Sequence, residues 1–324
     1  MFPSFQDYWG THKPILDDAF RRQISLLLEN IPLKQAAALM PTLEAGKKIR
    51  GCLACLISDA LGGELEAAIP RAIAIELIQA ATLIHDDFVD QDTIRGNRPA
   101  AWTLEGARRA VLIGDILFAT AIKMMMDLSR EDGRAVSQAI AQVSKGALHE
   151  SWDPLMLAKE IESNRLKDQS YNQIIQLKTG ILFGTACHLG ALAANGDANL
   201  VKVSFRFGLL IGEAYQIADD LKEVEYHLRK RSIDSEQMAA LAPVLLCFVP
   251  DLRPDVLTRL RGGGPDLEAT EAEYFRVAVK VMKNQIEHRL QTAVSEIIGN
   301  FPENEYRPVV LRAPWDLIRI FNEF

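Results

Sequence analysis

Two acidic pentapeptides carry the strongest chemical signal in this 324-residue chain, Asp86-Asp87-Phe88-Val89-Asp90 and Asp219-Asp220-Leu221-Lys222-Glu223. Each closes an apolar stretch, ELIQAATLIH before the first and FGLLIGEAYQIA before the second. Read as helix, Asp86 and Asp90 fall on one face a turn apart, and so do Asp219 and Glu223. Asp87 and Asp220 point about 100° away. Bare carboxylates at that spacing repel one another and oppose the helix dipole. A hard divalent cation offsets this, and Mg²⁺ binds through one or two carboxylates plus phosphate oxygens. One such pentapeptide is ordinary on a solvated helix end. Two of them on apolar helices predict a shared site for metal ions and an anion.

Cations that suit the anion are present. Gly46-Lys47-Lys48-Ile49-Arg50-Gly51 places Lys47 and Arg50 three apart at the start of a helix, an end that binds anions through free N–H groups. Arg95 and Arg98 follow the first acidic motif, and arginine suits bidentate phosphate contacts. Lys178-Thr179-Gly180 sets an ammonium and a hydroxyl beside a residue that permits close approach. Taken singly, each of these reads as a solvated basic segment.

Helices must position these groups. Apolar periodicity predicts helices over 14–30, 49–62, 68–91, 107–128, 134–150, 168–194, 200–230, 234–248 and 267–299. Between them stand turn signals such as Leu61-Gly62-Gly63, Gly96-Asn97-Arg98-Pro99 and Asn195-Gly196-Asp197. Strand alternation is essentially absent. Glu76 is the only charge between residues 72 and 84, so it must be paired or face a cavity. These features predict an all-α bundle in one domain, residues 1–324, with 249–266 and 300–314 as surface connections.

Composition narrows the function classes. The formal net charge is −7 and no basic run occurs, which argues against nucleic acid as a partner. No uninterrupted apolar run of about 18 residues predicts a membrane span. The N-terminus has no basic-then-apolar pattern of a secretory signal. Cys52 and Cys55, three apart in GCLACLISDALGG, read as core residues rather than a redox pair. A reduced, cytoplasmic protein is expected.

As a set, GKKIRG (46–51), ELIQAATLIHDDFVDQDTIRGNRPAAW (76–102), VLIGDILFATA (111–121), LKTGILFGTA (177–186) and GEAYQIADDLKE (212–223) resemble the trans-isoprenyl diphosphate synthases, or polyprenyl synthetases. The resemblance covers about residues 10–300. It implies an isoprenoid-synthase-type helical bundle around a central apolar channel, working as a homodimer. It implies that Mg²⁺ bridges the two acidic motifs and an allylic diphosphate. Asp86, Asp90 and Asp219 would be the main ligands, with Asp87, Asp220 and Glu223 in support. Lys47, Arg50 and Gln79 would hold isopentenyl diphosphate. Arg95, Lys178, Thr179 and Gln216 would surround the allylic diphosphate, and Asp86, Asp90, Lys178 and Asp219 would carry the catalysis.

The chain departs from the family pattern at four places. The usual R-R-G-x-P is Arg95-Gly96-Asn97-Arg98-Pro99, so Gly96 replaces an arginine and Arg98 is expected to compensate. The second motif ends in Glu223, and Lys222 within it is expected to screen the cluster or pair with Glu225. The Gly-Lys-rich loop after that motif is missing, and Ala239 falls where a lysine is expected. Three functions fit: an all-trans prenyl diphosphate synthase, a cyclase or unusual prenyl transferase, and a non-catalytic modulatory subunit. Lys47, Arg50 and Gln79 favour the first, because a cyclase has no use for a second diphosphate site. In that family short-chain enzymes place a bulky aromatic four or five residues before the first Asp. By the resemblance, the small Ala81 and Thr82 imply a product of C20 or longer, with Leu112, Phe118 and Met124–Met126 as the channel floor.

Overall fold

The computed structural model describes residues 2–148, 153–165 and 170–321. In chain order the helices are α1 (Phe5–Leu28), α2 (Ala36–Glu44), α3 (Ile49–Ala60) and α4 (Leu65–Val89). After a hairpin of two short strands, β1 (Ile94–Arg95) and β2 (Arg98–Pro99), come α5 (Ala101–Glu105), α6 (Ala107–Leu128) and α7 (Arg130–Leu148). Then follow α8 (Pro154–Glu162), α9 (Ser170–Ile175), a π-helical turn (Gln176–Gly180), α10 (Ile181–Ala193) and α11 (Ala198–Lys230). The last are α12 (Ser235–Phe248), a 3₁₀ turn (Pro250–Leu252), α13 (Arg253–Leu260), α14 (Ala269–Ile298) and α15 (Arg307–Phe321). The fold is all-α, as expected. The expected ends at 149–150 and 168–169 lie outside the described residues.

Two regions read as connections are helical. α13 buries Val256 and Leu260 and holds the buried Arg259–Glu271 ion pair to α14. α15 buries Val309, Val310, Ala313, Leu317 and Phe321. Proline misled the reading, since Pro254 and Pro308 sit in first turns, where no N–H is needed. α1 likewise runs through Pro14, because Phe5, Tyr8, Leu16, Phe20, Ile24 and Leu28 form one continuous buried stripe.

The core has two apolar clusters. α1, α3, α4, α6, α7 and α10 supply most of the first, and α8, α9, α12, α13 and α14 most of the second. α11 serves both, through Phe207 and Ile211 in the first and Ile217, Leu221 and Val224 in the second. Its axis can lie close to α10 because Gly208 has no side chain. A Cβ there would sit 2.3 Å from the Phe183 carbonyl oxygen and 2.7 Å from Cys187 Sγ. Gly208→Ala is expected to destabilise the fold by about 1–3 kcal/mol through overpacking, read from the midpoint of urea unfolding.

Among the described residues one helix, α4, is long and apolar enough to cross a membrane by length and composition. No single run predicted it, because Glu76 interrupts the pattern. It is a core helix: Ile73, Ile75, Leu77 and Ile78 are buried among its neighbours. Cys52 and Cys55 are buried free thiols in α3, as expected of core residues.

Candidate active site

The C-terminal end of α4 and the middle of α11 meet at a cavity of about 490 Å³, within the range of small-molecule sites. Residues 79, 82, 83 and 86 share the cavity face of α4, and 215, 216 and 219 that of α11. The π-helical turn adds Lys178 and Thr179, the α2–α3 connection adds Lys47 and Lys48, and α3 adds Arg50. A π turn inserts an extra residue into the helix and commonly marks a functional site. Ala80, Leu83, Phe118, Val143 and Ala147 make up most of the apolar part of the lining.

The two acidic motifs split within themselves. Asp86 and Asp219 line the cavity. Asp87 is 2 % exposed and accepts from Arg95 Nε, and burial raises its pKa against the pull of that arginine. Asp220 is turned toward Tyr171 Oη (2.5 Å) and Gln216 Nε2 (3.0 Å), and burial pushes it up to about 6. Asp90 caps the end of α4 and is exposed, as is Glu223. As placed, Asp87 and Asp220 hold neighbouring side chains, and Asp90 and Glu223 lie off the cavity lining.

Among the described residues no three acidic, histidine or cysteine side chains form a metal cage by themselves. Two carboxylates on a cavity wall suit a hard cation that completes its shell with phosphate oxygens and water. The cations beside them suit the same anion. Arg50 lies 4.6 Å from the Phe183 ring centroid, and its Nε is buried without a partner. An unpartnered charged donor in a cavity wall is a position prepared for an anionic oxygen.

Several expected contacts are already taken. Lys47 Nζ donates to the Phe321 carbonyl oxygen at 3.0 Å. Lys48 caps α3 in a left-handed conformation and donates to the carbonyl oxygens of Glu44 and Ala45. The Gly51 N–H in the first turn of α3, expected to be open to an anion, donates to Glu76 at 2.8 Å. This also accounts for Glu76, the only charge between residues 72 and 84. Arg98 donates to the Pro41 carbonyl oxygen at 2.7 Å and is off the cavity lining, so it does not compensate for the missing arginine. The reason is local: Gly96 and Asn97 both have positive φ and form a two-residue hairpin turn, with Arg95 opposite Arg98. Lys222 pairs with Asp219 at 3.6 Å, while Glu225 pairs with Lys283. Ala239 is buried inside α12, within the helix expected over 234–248, so it does not stand in a basic loop of the family's kind.

The expected floor is redrawn as well. Leu112 and Met126 are 50 % and 54 % exposed and Met125 is buried, leaving Phe118 as the one of these residues on the lining. Ala81 is fully buried off the lining, whereas Thr82 is on it. His85 and Tyr215 also line the cavity and were not singled out. His85 Nε2 lies 3.1 Å from the Val111 carbonyl oxygen, and burial raises the Tyr215 hydroxyl to about 12. Their sequence signal was adjacency, His85 to Asp86 and Tyr215 to Gln216.

Residues 33–247 match the polyprenyl synthetase family. The chain belongs to that family. It is 28% identical over 286 residues to geranylgeranyl diphosphate synthase of Mycobacterium tuberculosis, covering 78% of this chain and 79% of that one. It is 32% identical over 255 residues to heptaprenyl diphosphate synthase component 2 of Geobacillus stearothermophilus, covering 77% and 76%. Among solved structures, a decaprenyl diphosphate synthase from Rhodobacter capsulatus matches with a TM-score of 0.72 at 22% identity, over 98% of this chain and 99% of that one. That family's fold is therefore the fold of this chain.

Proposed function

We propose that this family member is an Mg²⁺-dependent trans-prenyltransferase, built as a single domain. It condenses isopentenyl diphosphate with an allylic diphosphate to give an all-trans prenyl diphosphate of C20 or longer. One observation carries the reading: Asp86 and Asp219, from motifs far apart in sequence, line the same cavity as Lys47, Arg50 and Lys178.

Mg²⁺ would be held by Asp86 and Asp219, with Asp90 and Glu223 in support. When bound, it stabilises negative charge on the departing diphosphate. Lys178 and Arg95 hold that diphosphate from the protein side. Lys47, Arg50 and Gln79 hold isopentenyl diphosphate. The wall of Ala80, Leu83, Phe118 and Val143 houses the prenyl chain and keeps water from the allylic cation. The allylic C–O bond breaks, the isopentenyl double bond forms the new C–C bond, and a proton passes to the released diphosphate. Positioning and electrostatics suffice, and no side chain acts as nucleophile.

The direct test is incubation with Mg²⁺, isopentenyl diphosphate and C5, C10, C15 or C20 allylic diphosphates, with products identified by mass. Elongated diphosphates are expected. Hydrocarbon from an allylic diphosphate alone would replace this reading with a cyclase. Removing Mg²⁺ with a chelator is expected to abolish turnover, and adding it back to restore it. Thr82→Phe is expected to shorten the product, because Thr82 lies on the lining beside Leu83. An unchanged product distribution would remove Thr82 from that role.

The working form proposed is a cytoplasmic homodimer. Phe88, Val111 and Leu112 border an open apolar depression that a second copy would cover. A partner of different sequence is the second reading, supported by the Geobacillus stearothermophilus relative named as component 2. Sedimentation of the purified chain at twice its monomer mass, with full activity, decides for the homodimer.

A further inference from the structure

Tyr171 lies behind the cavity, off its lining, and is 4 % exposed. Its ring packs edge-on against Phe248, with centroids 5.5 Å apart. Its hydroxyl starts a continuous hydrogen-bonded chain. Tyr171 Oη donates to Asp220 Oδ2 at 2.5 Å, Gln216 Nε2 donates to Asp220 Oδ1 at 3.0 Å, and Thr179 Oγ donates to Gln216 Oε1 at 2.6 Å. Two of these residues, Gln216 and Thr179, line the cavity. The neighbouring Asn172 accepts from Arg289 Nη2 at 2.8 Å, and Arg289 also pairs with Glu213 at 3.1 Å. α9 is thereby tied to α11 through Tyr171 and to α14 through Asn172.

The chain has a direction. A carboxylate flanked by two donors accepts from both, so Gln216 must present its N–H to Asp220. Its carbonyl oxygen then faces Thr179 and takes the only hydroxyl proton Thr179 has. Toward the cavity Thr179 is left with lone pairs alone. Turning the Gln216 amide over would set two oxygens against each other at Asp220 and free the Thr179 proton to point elsewhere.

We propose that Tyr171 is a positioning residue: it holds the Asp220 carboxylate against Gln216, and Asp220, which only accepts, keeps the Gln216 amide in the orientation that makes the Thr179 hydroxyl an acceptor on the cavity side. The assignment rests on the prenyl-transfer reading. An acceptor beside the allylic carbon favours the positive charge that grows there, whereas a donor opposes it. Thr179 thus belongs beside that carbon, and it has no proton for a diphosphate oxygen.

The test is a double-mutant cycle between the two ends of the chain, which are separated by Gln216 and Asp220. Tyr171→Phe removes only the hydroxyl. It is expected to lower kcat about tenfold, the effect of one hydrogen bond of ~1.4 kcal/mol. KM for isopentenyl diphosphate and the thermal midpoint should stay close to wild type. Thr179→Val lowers kcat as well, and Tyr171→Phe added to it costs no further factor beyond about two. A Tyr171→Phe enzyme within twofold of wild type, or effects that multiply in the double variant, would overturn the assignment. Should Tyr171→Phe lose its near-ultraviolet circular dichroism, the isosteric Asp220→Asn takes its place in the cycle with the same expectations. A wild-type chain that elongates no primer overturns the prenyl-transfer reading itself, and an active wild type with an unaffected variant overturns this assignment alone.

Discussion

Asp219→Asn is expected to lower kcat/KM for prenyl transfer by about a hundredfold or more, the loss typical of removing one preorganised charge from a developing anion. Asp219 lines the cavity, whereas its neighbour Asp220 is turned into a buried hydrogen-bonded chain. The exchange keeps the shape and removes the charge that would face Mg²⁺. Asp86→Asn should match it, since Asp86 is the corresponding residue on α4. Glu223→Gln should have a much smaller effect, because Glu223 is exposed and off the lining. Asp87→Asn should act differently again, by loosening the Arg95 contact that ties the hairpin to α4. Steady-state kinetics over a range of Mg²⁺ concentrations checks all four. Equal losses for Asp219→Asn and Glu223→Gln would show that the cavity lining does not define the ligand set.

Arg50→Met is expected to raise KM for isopentenyl diphosphate by about 30-fold or more, the effect of deleting one partner from a desolvated ion pair. KM for the allylic substrate should change little, because Lys178 and Arg95 are the cations assigned to that diphosphate. The same exchange should leave stability unchanged or improve it. Arg50 carries a buried Nε with no partner, and burial lowers the pKa of its guanidinium. An unmet buried donor costs about 1–3 kcal/mol, which methionine removes while keeping contact with Phe183. Arg50→Lys keeps the charge but loses the planar fork, so partial recovery is expected. A loss of stability together with an unchanged KM would make Arg50 a structural residue.

Much of the helical architecture was legible in the chain because burial repeats every three to four residues. Phe207, Ile211 and Ala214 mark α11, and Ile73, Leu77, Ala81 and Ile84 mark α4. Proline hid the rest. Pro14, Pro254 and Pro308 lie in helices whose apolar stripes, or whose first-turn positions, outweigh the lost N–H. The hairpin at 94–99 was read as a turn, and its two positive-φ residues bear that out. The direction taken by Arg98 was not legible, since it depends on where α2 brings the Pro41 carbonyl.

The sequence by itself determined the helical fold, the family, and the residues from which a diphosphate site is proposed. Residue type and spacing are local properties, and the helix converts spacing into a shared face. Only the tertiary structure decided which member of each acidic pair faces the cavity. Asp86 and Asp87 are chemically identical, and so are Asp219 and Asp220. A rotation of about 100° between neighbours sends one to the cavity and the other toward Arg95 or Tyr171. Those partners lie 8 and 49 positions away in sequence. For the second pair, no local pattern states what packing across α9 and α11 imposes. The two adjacent pairs offer four carboxylates, and the fold selects among them by what stands behind each one.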